Sequence, residues 1–174
     1  FEIWQVHEAR VLLADGASPE VDQVPQADAV ITDQPGVTLL MRFADCVPIY
    51  LYDPEHAAIG MAHAGWKGTL MRIAGRTVQH MVDEFGTDPA VIIAGLGPSI
   101  GPDHYVIGPD VVARVKDAFP EQEASLLITE GDEVKLDLWE ANRLTLEESG
   151  VDQVEVAGIC TACRVQDWYS HRAE

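Results

Sequence analysis

The sequence is poor in cysteine, in positive charge and in long apolar runs, and each shortage excludes a class of protein. Three of its 174 residues are cysteine, an odd number without a disulfide framework that is typical of a reducing cytoplasm. Lys and Arg number 11 against 29 Asp and Glu, and the formal charge of −18 argues against nucleic-acid or membrane-surface binding. No apolar run approaches the roughly 20 residues that span a bilayer. We therefore expect a cytoplasmic protein without a signal peptide that binds neither nucleic acid nor membrane.

The chain also lacks any linker, internal repeat or low-complexity segment that would mark a second domain. Its length and its 47% hydrophobic residues are sufficient for one well-packed core. We therefore expect a single domain over residues 1–174. The sequence opens in a strand-like segment without an initiator methionine, so we expect an N-terminal segment to be missing.

The spacing of apolar residues predicts a mixed α/β fold in which short strands outnumber helices. Apolar residues recur every three or four positions after Gly68, which predicts one helix with Thr69 as its N-cap and Gly86 just past its end. A surface loop is predicted at 15–26. Further helices are predicted at 109–119 and 139–149, and strands at 1–13, 27–32, 37–42, 47–52, 57–62, 91–96, 134–138 and 154–159.

Two of these strands bring a thiol and an imidazole together. The segments 47–52 and 57–62 flank a turn at Asp53-Pro54 and predict an antiparallel hairpin. Cys46 lies at the start of the first segment and His63 at the end of the second. These positions are neighbours in such a hairpin, beside a glycine-rich loop at 65–68. The hairpin therefore predicts a functional site at one edge of the sheet.

His7, Cys46 and His63 are the candidate metal ligands. Two imidazoles and one thiolate are donors that zinc prefers, and three protein ligands leave the open position of a catalytic site. The same three residues suit copper, and Cys46 with His63 could instead form a nucleophile pair without metal. Cys160 and Cys163 form a lone CxxC, at most half a zinc site. Its simpler interpretation is a buried thiol at 160 and an incidental one at 163.

Several short segments, taken in order, resemble one known family. They are QVH at 5–7, ADCVP at 44–48, HAGWKG at 63–68, GPSIG at 97–101, LDL at 136–138, CT at 160–161 and YSHR at 169–172. Together they resemble the YfiH family, also called the laccase-domain or multicopper polyphenol oxidase family. The pair ADCxP and HAGW(K/R)G is specific, and the resemblance runs nearly from end to end. Lys67 departs from the arginine that is common in the family.

The resemblance implies a layered α/β/β/α fold and a zinc enzyme acting on purine nucleosides. It implies phosphorolysis of adenosine, inosine, guanosine and methylthioadenosine, together with deamination of adenosine. The family's zinc ligands fall on His7, Cys46 and His63. Asp45 is our candidate general acid/base, and Lys67 is the candidate cation for phosphate. The expected partners are a purine nucleoside and phosphate, with a homodimer as an open alternative.

Three other functions stay open at this point. A copper-dependent polyphenol oxidase would use the same ligands, but no His-x-His pair is present to build a multicopper cluster. A peptidoglycan-editing hydrolase would use Cys46 and His63 as a catalytic dyad. A non-enzymatic partner subunit would need neither metal nor nucleophile.

Overall fold

A mixed sheet forms the centre of the fold. The computed structural model describes residues 1–16 and 23–174, so part of the predicted loop at 15–26 lies outside the described residues. Within the described chain, six strands lie side by side in the order β1-β2-β4-β3-β5-β9. The pairs β1–β2 and β5–β9 are parallel, and the other neighbours are antiparallel. The strands are β1 Val11–Leu13, β2 Ala29–Thr32, β3 Val47–Asp53, β4 Ala58–Ala64, β5 Ile93–Leu96 and β9 Gln153–Val156.

A smaller antiparallel sheet, five α-helices and a short 3₁₀ helix at Pro89–Val91 complete the regular structure of the described residues. The small sheet has the order β6-β8-β7, with β6 Val106–Ile107, β7 Leu127–Glu130 and β8 Glu133–Leu136. The helices are α1 Trp66–Leu70, α2 Ile73–Phe85, α3 Pro109–Ala118, α4 Glu123–Leu126 and α5 Leu138–Glu148. Among these helices, none combines the length and the apolar character that crossing a membrane requires.

The core lies between the large sheet and its helices. From Ile49 to Asp53, alternate residues of β3 are buried, because successive side chains of a strand point to opposite faces. Ile49 and Leu51 pack in one apolar cluster with Ile73 and Met81 of α2. The opposite face of the sheet carries large exposed side chains, among them Tyr50, Tyr52 and Ile93. At one end that face is covered by a second apolar cluster containing Ile3, Val30, Leu39 and Met41.

Two strand predictions at the N-terminal end are wrong in extent or in kind. Residues 37–42 form no strand, and Leu40 makes only an isolated bridge to Glu2. Of residues 1–13, the structure has a strand only at Val11–Leu13. Leu39 and Met41 are apolar because they cover one end of the sheet, and not because they belong to it.

The predicted helix after Gly68 is in fact two helices. Arg72 adopts a left-handed conformation, with φ of 60°, and separates α1 from α2. Thr69 lies inside α1 and is not an N-cap. Gly86 ends α2 in the left-handed conformation that glycine favours, as predicted.

Candidate active site

The β3–β4 hairpin brings Cys46 and His63 together, as the sequence predicts. The register pairs Val47 with Ala64 and Pro48 with His63. Extending this register by one residue places Cys46 opposite Gly65. Residues two apart on a strand share a face, so the Cys46 thiol and the His63 ring lie diagonally on the same face.

His7 reaches this face from the loop before β1, and Asp28 holds it there. His7 has a φ of 60°, a left-handed conformation that is uncommon for a residue other than glycine. The backbone N–H groups of His7 and Glu8 donate to the two carboxylate oxygens of Asp28, at 2.9 and 2.7 Å. His63 Nδ1 lies 2.9 Å from Oδ1 of the same carboxylate. Asp28, fully buried just before β2, therefore positions both imidazoles.

The ligand atoms of His7, Cys46 and His63 all lie within 4.8 Å of one another. The two imidazole rings meet edge to face, with centroids 4.8 Å apart. Because Asp28 engages Nδ1 of His63, the Nε2 atom of that ring is left to bind a metal. Two nitrogen donors and one sulfur donor at this separation fit a zinc ion with one coordination position open to a substrate or water.

The electrostatics of these residues follow from their surroundings. Burial raises the pKa of Asp28, but hydrogen bonds from His63, Glu8 and His7 outweigh it and hold the pKa below its usual value. Partial burial and the nearby His63 lower the pKa of His7, which favours the neutral imidazole that can bind metal. Burial, with the charges of Asp45 and Asp28, raises the pKa of the Cys46 thiol to about 11. The thiolate therefore needs a metal ion to stabilise it.

A cavity of about 670 Å³ opens beside these residues. Its walls combine aromatic, aliphatic and cationic side chains. They include Trp4, Arg42, Asp45, Trp66, Ile100, Tyr105, Leu138, His171 and Arg172, together with His7, Cys46 and His63. The cavity is large enough for a drug-sized organic molecule.

Asp45 lies at the cavity wall, where its carboxylate binds the C-terminal part of the chain. Its Oδ1 accepts a hydrogen bond from the Thr161 hydroxyl at 2.7 Å, and its Oδ2 accepts one from the Arg172 backbone N–H at 2.7 Å. Asp45 is buried and has a φ of 79°. The Arg172 guanidinium lies over the Tyr105 ring, 5.0 Å from its centroid. Asp45 thus fixes part of the wall that Tyr105 and Arg172 form.

Lys67 is exposed on α1, and the structure does not bring it to the cavity wall. Its Nζ lies 5.8 Å from the centroid of the Trp66 ring, and Trp66 itself lines the cavity. Among the described residues around the cavity, the arginines are Arg42 and Arg172. Sequence reasoning singled out neither Asp28 nor Arg42. A charged residue directly before the apolar segment 29–32 was the signal that could have revealed Asp28.

The whole chain, residues 1–174, matches the family described as multi-copper polyphenol oxidoreductase laccase. The chain belongs to this family. Within the laccase family, a purine nucleoside phosphorylase of Bacteroides thetaiotaomicron is 37% identical over 177 residues, covering 97% of this chain and 66% of that protein. A purine nucleoside phosphorylase of Deinococcus radiodurans is 44% identical over 149 residues, covering 86% of this chain and 56% of that protein.

Solved structures confirm the resemblance and the mixed α/β fold. The hypothetical protein YfiH of Bacillus licheniformis superposes with a TM-score of 0.91 at 36% identity, covering 99% of this chain and 68% of that chain. YlmD of Geobacillus stearothermophilus gives a TM-score of 0.88 at 34% identity, with the same coverage. This chain spans about two thirds or less of the length of the two purine nucleoside phosphorylases that it matches.

Proposed function

We propose that this chain forms the metal-bearing active site of a purine nucleoside enzyme of the laccase family. In this proposal it phosphorolyses adenosine, inosine, guanosine and methylthioadenosine, deaminates adenosine, and uses zinc. One observation carries the proposal: three ligand atoms lie within 4.8 Å of one another at the wall of a 670 Å³ cavity. The names of the relatives, purine nucleoside phosphorylases, support the choice of substrate.

His7, Cys46 and His63 are the residues that would hold the zinc ion. A bound zinc ion supplies a Lewis acid, which can polarise a phosphate oxygen or a water molecule. Asp28 contributes by fixing the tautomer and orientation of His63 and the backbone beside His7.

The cavity walls suit a purine nucleoside and phosphate. A purine is flat and aromatic, and Trp66 and Tyr105 offer rings on which it can stack. Phosphate is an anion, and two guanidinium groups lie at the same wall: that of Arg172, and that of Arg42, which also pairs with the Glu2 carboxylate. Phosphorolysis requires phosphate to attack C1′ of the sugar as the purine leaves. The wall therefore supplies a surface for the base and positive charge for the attacking group.

We also propose Asp45 as the general acid/base and Lys67 as an auxiliary cation. Asp45 lines the cavity directly before Cys46, within reach of a bound nucleoside. Its hydrogen bonds to Thr161 and Arg172 give it a positioning role as well. The variant Asp45→Asn separates the two roles. Loss of one limb of the pH–rate profile indicates proton transfer, whereas a raised KM for phosphate alone indicates positioning of Arg172.

The decisive experiment combines metal analysis with product release from the four nucleosides, with and without phosphate. We expect bound zinc and phosphate-dependent release of free base, with the release abolished and the zinc of this site lost in Cys46→Ala and in His63→Ala. His80→Ala is the matched control, because it removes an exposed imidazole on α2 away from the cavity. A protein without metal, or activity that survives Cys46→Ala, would overturn the proposal.

The variant Asp28→Asn tests how the ligands are positioned. Asparagine has nearly the same size as aspartate, but one of its two side-chain oxygens is replaced by an N–H₂ group. That group cannot accept the hydrogen bonds that the Asp28 carboxylate accepts in the wild type. We expect zinc affinity to fall by about 10–100-fold, the range typical of partners that orient a ligand. Competition with a zinc chelator measures the change. Unchanged affinity would show that the hairpin alone orients His63.

The family description favours copper-dependent phenol oxidation as a second candidate. Two imidazoles and one thiolate are also a copper ligand set. Copper in the purified protein, with oxygen uptake in the presence of a phenol and no release of purine base, would establish this candidate over the first.

A further inference from the structure

A second cluster of metal-binding side chains lies away from the cavity wall. Asp103, His104, Cys160 and Cys163 each present one ligand atom, and the four atoms lie within 4.8 Å of one another. His104 Nδ1 is 3.7 Å from Cys160 Sγ and 3.6 Å from Cys163 Sγ. Asp103 Oδ2 is 3.8 Å from Cys163 Sγ and 3.0 Å from His104 Nδ1. The four ligand atoms thus surround one small volume.

These separations match the edges of a zinc tetrahedron. Zinc–sulfur bonds of about 2.3 Å and zinc–nitrogen or zinc–oxygen bonds of about 2.0–2.1 Å give sulfur–nitrogen and sulfur–oxygen edges of about 3.6 Å. The two observed sulfur–nitrogen distances are 3.7 and 3.6 Å, and the sulfur–oxygen distance is 3.8 Å. The contact between His104 and Asp103, at 3.0 Å, is shorter than its tetrahedral edge of about 3.4 Å. A small rotation of the exposed carboxylate would lengthen it.

We propose that Asp103, His104, Cys160 and Cys163 bind a second zinc ion, in a closed site with four protein ligands. A closed tetrahedral shell is typical of structural zinc, in contrast to the open three-ligand arrangement at the cavity. Two thiolates make the site soft, and this selects zinc over magnesium or calcium. None of these four residues is among those that line the cavity, so the second site lies outside it.

The fold brings the two ligand-bearing loops together before any metal binds. Ser99 and Cys160 form an isolated parallel bridge, and the Thr161 backbone N–H donates to the Ser99 carbonyl at 3.0 Å. The Gly101 backbone N–H donates to Cys160 Sγ at 3.2 Å. A Cβ atom at position 101 would lie 2.6 Å from Asp103 Oδ1 and 3.1 Å from Cys160 Cβ. Glycine therefore permits the close approach of Asp103 to the cysteine loop.

The second site would fasten part of the wall of the first. His104 is followed by Tyr105, and Cys160 is followed by Thr161, whose hydroxyl holds the Asp45 carboxylate. Tyr105 in turn lies under the Arg172 guanidinium. Zinc bound by His104 and Cys160 would hold these two neighbours in a fixed relation. Its role is therefore to position the wall, and its loss should raise KM for phosphate more than it lowers kcat.

The first test counts metal in purified variants after exchange into buffer with excess zinc and removal of free ion. We expect about two equivalents of zinc in the wild type and about one in Cys46→Ala, where only the second site remains. Cys163→Ser should also hold about one equivalent, and Cys46→Ala/Cys163→Ser about none. Cys46→Ala/His80→Ala is the matched control and should keep about one. Retention of the ion in Cys46→Ala/Cys163→Ser, or none in Cys46→Ala, would overturn the proposal.

Cys46→Ala removes a ligand of the first site, so the zinc counted in this variant belongs to the second site. The test therefore does not depend on the proposed nucleoside activity. Cobalt(II) gives a second measurement in the same background, since thiolate-to-cobalt absorption appears only when sulfur is a ligand. We expect this absorption in Cys46→Ala and almost none of it in Cys46→Ala/Cys163→Ser, which should no longer hold the ion. The mass of freshly purified Cys46→Ala is a further check. A mass two hydrogens below the value calculated for free thiols would show a Cys160–Cys163 disulfide and would overturn the proposal.

A third measurement covers the case in which Cys163→Ser perturbs folding. His104→Ala removes an exposed ligand and leaves both thiols. In the Cys46→Ala background we expect a chelator to lower the melting temperature by about 5 °C, and His104→Ala to abolish this chelator effect. An equal chelator effect with and without His104 would contradict the four-ligand site.

Discussion

The thiol of Cys46 is a poor nucleophile in the absence of metal. Burial raises its pKa to about 11, and the Asp45 and Asp28 carboxylates act in the same direction. A thiol reacts as the thiolate, so at pH 7.5 we expect alkylation about 300-fold slower than for a thiol of pKa about 8.5.

Iodoacetamide labelling of metal-free protein, read by peptide mass spectrometry at Cys46, measures this rate. Because the pKa of Cys46 is raised, the thiolate is scarce at any pH below that value, and its fraction grows as the pH rises. We therefore expect the rate to rise about tenfold per pH unit between pH 7 and 9.5. Glutathione in the same buffer is the control. Rapid, pH-independent alkylation would instead favour a Cys46–His63 nucleophile pair and the hydrolase interpretation.

Gly65 leaves room for the Cys46 sulfur. A Cβ atom at position 65 would lie 2.9 Å from Cys46 Sγ and 3.4 Å from His7 Cδ2. The φ of Gly65 is −73°, which alanine adopts without strain, so Gly65→Ala should act through this contact alone. We expect zinc affinity to fall at least about tenfold, measured by chelator competition. In the matched control Gly95→Ala, the added Cβ meets no atom within 4 Å, and affinity should not change.

The three proposed metal ligands could be picked out from the sequence, whereas Asp28 stands out there only as a charge before an apolar segment, and its contacts with His7 and His63 could not be predicted. Cys46 and His63 flank a hairpin whose turn and alternation are local signals, and the structure brings them together. Asp28 contacts His7 and His63 from 21 and 35 residues away. Its role depends on β2 lying beside β4, a pairing that no local pattern specifies. Sequence therefore indicates donors more readily than the groups that position them.

At the scale of the elements, local patterns predicted whether a segment is a helix or a strand better than they predicted where it begins and ends. The helix end at Gly86 was predicted because glycine at that position has a known conformational reason. The break at Arg72 was missed because apolar spacing continues across it, from Leu70 to Ile73. What stabilises the break is tertiary: the Arg72 guanidinium donates to Thr145, Glu148 and the Ala118 carbonyl.

Arg72 therefore joins three helices, and its removal should destabilise the fold. Its guanidinium also lies over the Phe119 ring, 3.8 Å from the centroid. The ion pair with Glu148 is half exposed and adds little, so the bonds to Thr145 and Ala118 dominate. We expect Arg72→Ala to lower the free energy of unfolding by about 2 kcal/mol, measured by urea denaturation.

Two further variants identify the cause of that loss. Arg76→Ala removes an exposed arginine of α2 whose Nε donates to the Met71 carbonyl, and it should cost less than about 1 kcal/mol. Arg72→Lys keeps the charge but not the planar fork, so it should lose most of what Arg72→Ala loses. Full stability in Arg72→Lys would show that charge alone holds the helices together.

At the scale of the whole molecule, the small sheet is the part that the sequence predicted least well. Of its strands, only β8 was predicted, because β6 has two residues and β7 is largely exposed. Such strands lack the alternation that reveals a half-buried strand. They form because Val106 and Ile107 pair with β8, whose residues lie almost 30 positions further along the chain.

In the proposed phosphorolysis, the net charge of −18 should govern how phosphate reaches the cavity. A strongly acidic surface repels an anion over long distances, whereas Arg42 and Arg172 attract it only nearby. Salt shortens the screening distance from about 30 Å at 0.01 M to about 10 Å at 0.1 M, which removes the long-range repulsion first. Raising potassium chloride from 0.01 to 0.1 M should therefore lower KM for phosphate, by roughly threefold. Inosine is neutral, so its KM should stay constant and serves as the control. If KM for phosphate rises with salt in the wild type and not in Arg172→Ala, the local cations outweigh the rest of the surface.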